Sequence, residues 1–267
     1  MRRKETAMSR IHKAFDHGKA FVAFLTAGDP SIEKTLEYVL AMEKAGADLI
    51  ELGIPFSDPI AEGPVIQEAD IRSLSAGTRL EDVFGLVEKI REHTQIPLVF
   101  LTYINPIVRY GKDRFFAKCQ NAGIDGVIIP DMPYEERDEC APAAKAHGID
   151  IISMIAPTSK ERIRTIAKSG EGFLYIVSSL GVTGTRDNIR TDSRDIIEKV
   201  REVTDLPCAV GFGIHTPEQA KEQCSFADGA ITGSGIVKLI AKYGADAEPQ
   251  ITAYVKKMKA GCTAAGQ

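Results

Sequence analysis

Short apolar runs alternate with longer amphipathic stretches along the chain. Eight of the runs are dense in Val, Ile, Leu and Phe and do not alternate cleanly with polar residues, as expected of parallel strands covered on both faces. They occupy residues 20–28, 48–53, 97–103, 125–131, 150–156, 172–179, 207–213 and 228–233. The pattern therefore predicts eight short, buried, parallel strands.

The stretches between the runs carry helix signals. Ser31 stands at an N-cap position and Gly46 ends the helical pattern that follows it, which is the usual arrangement at the two ends of a helix. Residues 1–18 predict a short N-terminal helix, and a helix is also expected at about residues 249–260, near the C-terminus. Strands and helices thus follow one another in regular order.

Eight strand–helix units in 267 residues predict a (β/α)8 TIM barrel, a fold that typically needs about 250 residues. A doubly wound open sheet is the alternative that the same alternation allows. The count of eight favours the barrel. Because no exact repeat or low-complexity linker interrupts the chain, we expect one domain over residues 1–267.

One carboxylate interrupts the second apolar run. Glu51 lies between Ile50 and Leu52, and the loop that follows carries Asp58 and Glu62. A charged group among apolar neighbours costs several kcal/mol unless it is paired or neutralised. Glu51 is then either a structural acid, satisfied by backbone donors or a tyrosine hydroxyl, or a general acid/base whose pKa is raised by desolvation. Its place near a strand end, where such barrels hold their active sites, favours the second interpretation.

Asp58 allows two interpretations of its own. Ser-Asp-Pro is an ordinary turn sequence, so Asp58 is either a turn residue or a functional one. The residues alone do not decide between them.

Three glycine-rich stretches follow the last three strands, at residues 179–188, 211–214 and 231–237. Glycine lets backbone N–H groups approach an anion, and Gly233 and Ser234 stand where the last barrel helix should begin, at its positive end. Glycine also ends strands and caps helices, so a single pair would indicate little. Loops after strands 7 and 8 form the recurrent phosphate site of this fold. The sequence therefore predicts a phosphorylated ligand.

Composition and missing residue types narrow the chemistry. Charged residues make up 26% of the chain and the formal net charge is −4, so no basic surface for nucleic acid is indicated. No lysine falls within the eight runs, which argues against Schiff-base catalysis, and the five histidines show no metal-ligand spacing. We expect carboxylate acid/base catalysis on a phosphorylated, partly apolar substrate, without a metal.

The same composition bears on location. No apolar run approaches the ~20 residues that span a bilayer, and the basic N-terminus lacks the apolar core of a secretory signal. Five cysteines, odd in number and without CxxC spacing, fit free thiols in a reducing compartment. A cytoplasmic protein that contacts no membrane is expected.

The motifs resemble one known family. In chain order they are FLTAGDP, ELGIPFSDPIAEGPVIQ, LTYINPI, GVTGTR, GFGI and ITGSGIV, spread from about residue 20 to residue 242. They are similar to the α chain of tryptophan synthase. The resemblance implies cleavage of indole-3-glycerol phosphate to indole and glyceraldehyde 3-phosphate, with neither cofactor nor metal. It also implies a partner, the tryptophan synthase β chain, a pyridoxal-phosphate protein that takes the indole within an α2β2 heterotetramer.

The resemblance further implies roles for single residues. Glu51 matches the principal acid/base, which exchanges protons with the indole carbon bearing the glycerol chain and with the adjacent hydroxyl. Glu62 stands where the family usually has aspartate, the carboxylate that steadies positive charge on the indole nitrogen. Tyr175 matches a tyrosine lining the site, and Asp58 a loop position facing the β chain. The other substrate contacts implied are the apolar walls Phe24, Leu101, Tyr103 and Phe212, the phosphate contacts Gly184, Gly213, Gly233 and Ser234, and the lid residue Thr183, which meets the second carboxylate.

Two other functions stay open. A related phosphosugar barrel of the same pathway, such as the synthase that makes indoleglycerol phosphate or the preceding isomerase, is one. That synthase would need a catalytic lysine at a strand end, and the runs contain none. A regulatory subunit that only binds a phosphorylated ligand and activates its partner is the other, although the presence of Glu51 and Tyr175 argues against it.

Overall fold

Eight parallel strands close into a barrel in the computed structural model, which describes residues 9–157, 160–178 and 189–266. The strands are β1 (Ala20–Thr26), β2 (Leu49–Gly53), β3 (Leu98–Leu101), β4 (Gly126–Ile128), β5 (Asp150–Ile155), β6 (Leu174–Val177), β7 (Cys208–Gly211) and β8 (Gly229–Thr232). Each lies within one of the eight predicted runs. Because β8 pairs with β1, the sheet has no edge, so the predicted (β/α)8 barrel is confirmed and the open sheet was the wrong alternative.

Helices follow the strands on the outside. They are α1 (Arg10–Lys13), α2 (Ile32–Lys44), α3 (Pro64–Ser75), α4 (Leu80–Arg91), α5 (Ile104–Tyr110), α6 (Lys112–Ala122), α7 (Ala141–Ala146), α8 (Lys160–Lys168), α9 (Ile189–Arg201), α10 (Pro217–Cys224), α11 (Ser234–Tyr243) and α12 (Glu248–Thr263), with 3-10 turns at Tyr134–Glu139 and Gly244–Asp246. Among the described residues, no helix has both the length and the apolar character needed to cross a membrane.

The helices expected near the chain ends can be compared with these bounds. α12 contains the expected residues 249–260 and extends beyond them at both ends. Of the expected N-terminal helix over residues 1–18, the structure describes the turn α1, and residues 1–8 lie outside the described part. The assignment of residues 1–267 to one domain stays a prediction.

Helix starts use local side-chain caps. The Ser31 hydroxyl accepts the backbone N–H of Lys34 at 3.2 Å, as its N-cap position predicts. At the start of α10, Thr216 accepts the N–H of Gln219 at 3.3 Å, and the Gln219 side chain accepts the N–H of Thr216 at 3.1 Å. This reciprocal box satisfies donors that the first turn of a helix leaves free.

The pleat of each strand sends alternate side chains to opposite sides. Outward residues pack under the helices in a large apolar cluster that includes Phe21, Leu25 and Phe100. Inward residues form a second, smaller cluster in the barrel interior, built from Val22, Phe24, Leu49, Val99, Leu101, Ile128, Ile152, Phe173, Tyr175, Ala209 and Ile231. Ile11, Ala14 and Phe15 close the N-terminal end of this interior, leaving the opposite end for the loops that follow the strands.

A buried carboxylate ties the closed end together. Asp125, just before β4, accepts from Arg10 Nε at 2.6 Å and from Arg91 Nη2 at 3.0 Å, and it also accepts the backbone N–H of Leu98 at 2.8 Å. The side chains of Arg91 and Asp125 are only 10% and 8% exposed. Burial lowers the pKa of Arg91 to about 10, although the Asp125 charge acts in the opposite direction. Asp125 thus joins α1, α4 and β3 at one point.

We expect Asp125→Ala to lower the free energy of unfolding by about 3 kcal/mol or more, because it leaves the buried Arg91 guanidinium without its counterion. Urea denaturation followed by circular dichroism measures the change. Glu202→Ala is the matched control, since Glu202 pairs with Arg164 at the surface, where an ion pair contributes ~1 kcal/mol or less. Equal losses in the two variants would contradict this role for Asp125.

Candidate active site

Glu51 projects into the barrel interior from β2. It shares the inward face of the strand with Leu49, and it lies in register with Phe24 on β1 and Val99 on β3. The residue is 1% exposed, and its Oε2 atom has no hydrogen-bond partner among the described residues. A structural acid would have its oxygens satisfied. The geometry therefore favours the interpretation of Glu51 as a reactive group.

Two carboxyl groups with raised pKa values share this interior. Burial raises the pKa of Glu51 to about 8, and the charge of Glu62 contributes in the same direction. Burial also raises the pKa of Glu62 to about 7. Carboxyls in unlike environments can divide acid and base roles between them near neutral pH. The pair can therefore hold one proton and offer one negative charge at the same time.

The loop after β2 is anchored on Tyr103. The backbone N–H of Ala61 donates to the Tyr103 hydroxyl at 3.0 Å, and the rings of Phe56 and Tyr103 stack with centroids 5.2 Å apart. Gln67 Nε2 donates to the carbonyl of Glu62 at 2.8 Å. Burial raises the pKa of Tyr103, and so does the Glu62 charge, so its hydroxyl stays protonated. These contacts fix the backbone position of Glu62, from which its side chain extends.

The Phe24 side chain packs against two glycine positions of the backbone. A Cβ atom added to Gly53 would come within 2.7 Å of the Phe24 ring, and one added to Gly233 would come within 2.9 Å. Any side chain at either glycine would push the ring out of its place. The absence of a Cβ at the ends of β2 and β8 is what admits an aromatic wall there.

Tyr175 and Phe212 form a second aromatic wall. Their rings meet edge to face at 6.1 Å, and a Cβ on Gly211 would lie 2.4 Å from the Tyr175 hydroxyl oxygen. Phe212 has φ of +72°, a conformation that costs energy for a residue with a side chain, and the Ser178 hydroxyl donates to its carbonyl at 2.8 Å. Burial raises the pKa of Tyr175, as do the charges of Glu51 and Glu62, so the phenol stays neutral.

The proposed phosphate residues meet at the ends of β7 and β8. Gly213 follows β7, and α11 begins at Ser234 with Gly233 as its N-cap and no side-chain cap. The Thr232 hydroxyl donates to the carbonyl of Ile214 at 3.2 Å, which ties the two loops together. An uncapped N-terminus of a ten-residue helix presents free N–H groups to an anion.

Two predicted contacts, Thr183 and Gly184, lie outside the described residues. Leu101 lies on β3 in the interior cluster, 8% exposed. The structure thus brings together Glu51, Tyr175, Phe24 and Leu101 inside the barrel. Whether each of them performs its implied role stays a prediction.

Asp58 lies apart from this interior. It is exposed on the loop after β2 and accepts the Ser57 hydroxyl at 2.5 Å. Nearby along the chain, Ile60 is 81% exposed and Ile71 on α3 is 62% exposed. Single exposed apolar side chains are normal on a protein surface, so the assignment of Asp58 to a partner contact stays a prediction.

Sequence reasoning missed a further buried carboxyl near Glu62, that of Asp70. It is 5% exposed on α3, on the face that also buries Ile66, Ala69 and Ser73. Burial raises its pKa to about 8, Glu62 adds to the rise, and the backbone N–H of Phe56 opposes it. The available signal was an acid on the apolar face of an amphipathic helix, spaced three and four residues from buried neighbours.

An ion pair holds α3 against the barrel. Asp29, 1% exposed in the loop after β1, accepts from Arg72 Nε at 2.9 Å and from Arg72 Nη2 at 2.7 Å. The Ser73 hydroxyl donates to the carbonyl of Ala27 at 2.6 Å. These bonds position the helix that carries Asp70 and follows directly on Glu62.

Among the described residues, no three His, Cys, Asp or Glu side chains are grouped so that they could hold a metal ion. His215, the histidine nearest a strand end, flanks α10 instead. Its N–H donates to the Gln219 side chain at 2.9 Å, and its Nδ1 lies 2.9 Å from the carbonyl of Gly213.

A closed parallel barrel that buries a carboxyl oxygen without a partner in the described structure, and that begins an uncapped helix after its last strand, is typical of (β/α)8-barrel enzymes that act on phosphorylated substrates. Comparison with known proteins specifies the family. Residues 12–264 match the family described as tryptophan synthase alpha chain. The chain belongs to this family.

Individual relatives agree. The tryptophan synthase alpha chain of Lacticaseibacillus casei is 47% identical over 260 residues, covering 97% of this chain and 98% of the relative. The crystal structure of tryptophan synthase subunit alpha from Legionella pneumophila superposes with a TM-score of 0.87 at 36% identity, covering 96% and 99% of the two chains. A chain from the structure of the tryptophan synthase a2b2 complex of Pyrococcus furiosus has a TM-score of 0.83 at 36% identity, covering 90% and 98%.

The raised pKa of Glu51 predicts a pH-dependent difference in stability. The folded protein holds this proton more tightly than the unfolded chain, so the contribution is complete below the ordinary pKa of 4.5 and is lost as the pH rises through about 8. Glu51→Gln removes the ionisation. We expect the variant to gain roughly 2–4 kcal/mol relative to wild type between about pH 5 and about pH 9, since one pKa unit corresponds to about 1.4 kcal/mol.

Urea denaturation at several pH values checks this difference. The exposed Glu92→Gln should track wild type across the whole range. A constant difference between wild type and Glu51→Gln would show that the carboxyl is not desolvated in the folded protein.

Proposed function

We propose that the chain cleaves indole-3-glycerol phosphate to indole and glyceraldehyde 3-phosphate, as a member of its family, with Glu51 as the acid/base. The observation that carries this assignment is the buried Glu51 carboxyl, whose Oε2 has no partner in the described structure and which lies among the aromatic and apolar walls of the barrel. A flat apolar ring fits between such walls. A titratable group at their centre can exchange protons with it.

The reaction requires one proton to be given and one to be taken. With its pKa at about 8, Glu51 begins protonated at neutral pH. It gives its proton to the indole carbon that bears the glycerol chain, which leaves the ring nitrogen positively charged. The Glu51 carboxylate then takes the proton of the adjacent hydroxyl. The carbon–carbon bond breaks, its electron pair returns to the ring, the hydroxyl-bearing carbon becomes the aldehyde, and Glu51 ends protonated as it began.

Glu62 stabilises the charge that develops on the ring nitrogen. Its pKa of about 7 leaves a substantial fraction ionised at neutral pH, and a cation beside it would favour the ionised form further. Glutamate in place of the family's usual aspartate lengthens the arm by about 1.5 Å, one carbon–carbon bond. The anchored start of the loop at Ala61 and Tyr103 sets the point from which this longer arm reaches.

The apolar walls of the barrel interior and the start of α11 bind the indole ring and the phosphate of the substrate. Phe24 and Leu101 contact the indole from one side, and Tyr175 and Phe212 from the other. The phosphate is held by the backbone N–H groups of Gly233 and Ser234 at the beginning of α11, and by that of Gly213, which follows β7. We assign the same purpose to Gly184, and we assign Thr183 to a lid that meets Glu62.

The partner of the chain is the tryptophan synthase β chain, in an α2β2 complex of the kind named for the Pyrococcus furiosus relative. The exposed loop that carries Asp58 and Ile60 lies next along the chain to Glu62, so a β chain seated on this loop would contact the segment that positions the second carboxylate. We place the complex in the cytoplasm.

Purified protein mixed with indole-3-glycerol phosphate should release indole, and the β chain should increase the rate. Glu51→Gln keeps the size of the side chain and removes its exchangeable carboxyl proton. We expect a loss of at least ~10²-fold in turnover, typical for removal of a general acid/base. Glu92→Gln, at the exposed end of α4, should keep the wild-type rate.

Circular dichroism of the Glu51 variant confirms that it folds, so a loss of rate reports chemistry. If the variant keeps most of its turnover, another group is the acid/base. If wild type releases no indole with or without the β chain, the chain is a regulatory subunit.

Ser234→Asp tests the phosphate site. A carboxylate at the start of α11 competes with the substrate phosphate for the same N–H groups and repels its charge, so KM for indole-3-glycerol phosphate should rise at least about tenfold. Indole itself carries no phosphate, so its affinity should change much less. Calorimetric titration with indole supplies the comparison. An equal loss for both ligands would place Ser234 in the general shape of the pocket and not in a phosphate site.

A further inference from the structure

The C-terminal helix α12 packs on the outside of the barrel, beside the β7 loop (residues 212–216). Its inner face buries Ile251, Val255 and Met258 in the outer apolar cluster, a spacing of four and three residues that keeps them on one side of the helix. A Cβ atom on Gly261 would lie 2.3 Å from the carbonyl oxygen of Pro217, which follows the β7 loop directly. This close approach holds α12 next to the loop.

Tyr254 extends from α12 to the β7 loop. Its hydroxyl donates to the carbonyl of His215 at 3.0 Å. Burial raises the pKa of Tyr254 to about 12, although its interaction with the Thr232 side chain acts in the opposite direction. The phenol is therefore protonated at neutral pH and can serve as the donor of this bond.

The same phenol fills the space beside the start of α11. A Cβ atom on Gly235, the second residue of α11, would lie 2.2 Å from the Tyr254 hydroxyl oxygen and 2.6 Å from the ring carbon that bears it. Only a residue without a side chain admits the phenol at this position. One side chain thus contacts both parts of the proposed phosphate site, the β7 loop and the first turn of α11.

Tyr254 completes a set of bonds to the carbonyls of the β7 loop. The Gly213 carbonyl lies 2.9 Å from His215 Nδ1, and the Ile214 carbonyl accepts the Thr232 hydroxyl at 3.2 Å. The next carbonyl, that of His215, is the one that accepts the Tyr254 hydroxyl. Backbone N–H groups attract an anion and carbonyl oxygens repel it, so the orientation of these carbonyls affects how an anion binds beside the loop.

We propose that Tyr254 is a positioning residue for the substrate phosphate, an inference that rests on the proposed function. Its hydroxyl holds the His215 carbonyl toward α12, outside the barrel, and its ring sets the distance between the β7 loop and the start of α11. The N–H groups of Gly213 and Ser234 are thereby held ready for one anion. A site that is arranged before binding loses less free energy to ordering when the ligand arrives.

Tyr254→Phe removes the hydroxyl and keeps the ring. A neutral hydrogen bond of this kind shifts an equilibrium by about threefold to tenfold, so KM for indole-3-glycerol phosphate should rise by about that factor. The value of kcat should stay within about twofold of wild type, because the contact serves binding and not the reacting atoms.

Calorimetric titration of the Glu51→Gln protein measures binding directly, since this variant is expected to turn over at least ~10²-fold more slowly. Adding Tyr254→Phe should weaken its binding of indole-3-glycerol phosphate by about threefold to tenfold. Indole-3-glycerol, which lacks the phosphate, should lose less than about twofold in affinity.

Tyr38→Phe is the matched control. The Tyr38 hydroxyl also donates to a backbone carbonyl, that of Gly244 at 2.5 Å, but at the opposite end of α11. Tyr38→Phe should lower the urea concentration at the midpoint of unfolding, as Tyr254→Phe does, and change KM by less than about twofold. A purely structural role for Tyr254 would give both variants the same KM.

Gly235→Ala tests the contact from its other side. The added methyl group displaces the phenol from the start of α11, so KM should rise at least about threefold. Because Gly235→Ala and Tyr254→Phe disturb the same contact, the double variant should raise KM by less than the product of the two single effects. Effects that simply multiply would contradict a shared contact.

Three further results would overturn the proposal. They are an unchanged affinity for indole-3-glycerol phosphate in Tyr254→Phe, an equal loss for indole-3-glycerol, and an equal rise of KM in Tyr38→Phe. The calorimetric titrations require no turnover. If wild type binds indole-3-glycerol phosphate but releases no indole, the proposed reaction fails, and the titrations still decide the role of Tyr254.

Discussion

The Glu51 carboxyl loses its hydration inside a closed barrel, and the arrangement of the site depends on that loss. A sheet without an edge and with an apolar interior offers few polar groups to replace water, and Oε2 finds none in the described structure. The carboxyl therefore holds its proton to about pH 8. An exposed glutamate at the same distance from a substrate would be ionised at neutral pH and could not act as the acid. By excluding solvent, the fold thus keeps the Glu51 carboxyl protonated and able to act as an acid near neutral pH.

Interactions elsewhere in the molecule must offset the free energy that is lost by burying Glu51. The two ends of the barrel differ in how well their charged groups are paired. At the closed end, Asp125 pairs with Arg10 and Arg91 and accepts the N–H of Leu98. At the mouth, Glu51 Oε2 has no hydrogen-bond partner among the described residues. A (β/α)8 barrel allows this division because the loops at the two ends are independent of each other. The ion-paired cluster around Asp125 at one end can thus stabilise the fold while Glu51 stays unsatisfied at the other.

Much of this could be predicted from the sequence. The eight strands were visible because both faces of each are apolar, and Glu51 because it is the exception in one of them. What the sequence could not indicate depends on neighbours distant along the chain. Gly53 and Gly233 are separated by most of the protein, and only the closure of β8 onto β1 brings both against the ring of Phe24. Asp70 escaped notice for the same reason, since its burial depends on how α3 docks.

The burial of Arg137, on the 3-10 turn after β4, illustrates the limit further. Arg137 lies in a polar segment, YEERDE, that indicates a solvated surface when taken alone. Its burial follows from α8 and the end of β5 closing over the 3-10 turn, and that packing leaves its buried Nε without an acceptor among the described residues. Local pattern predicts which residues form an element. It does not predict which donor is left over when three elements meet.

The three raised pKa values at the mouth have one more consequence for catalysis. Glu51, Glu62 and Asp70 lie close enough for Glu62 to raise the pKa of both others, so the free protein cannot ionise all three near neutral pH. The missing partner is a positive charge, and the proposed reaction supplies one on the indole nitrogen only after Glu51 has given up its proton. The attraction that is absent for the neutral indole ring is then available to the protonated ring. An interaction that strengthens only as the reaction proceeds lowers the barrier without tightening the ground state.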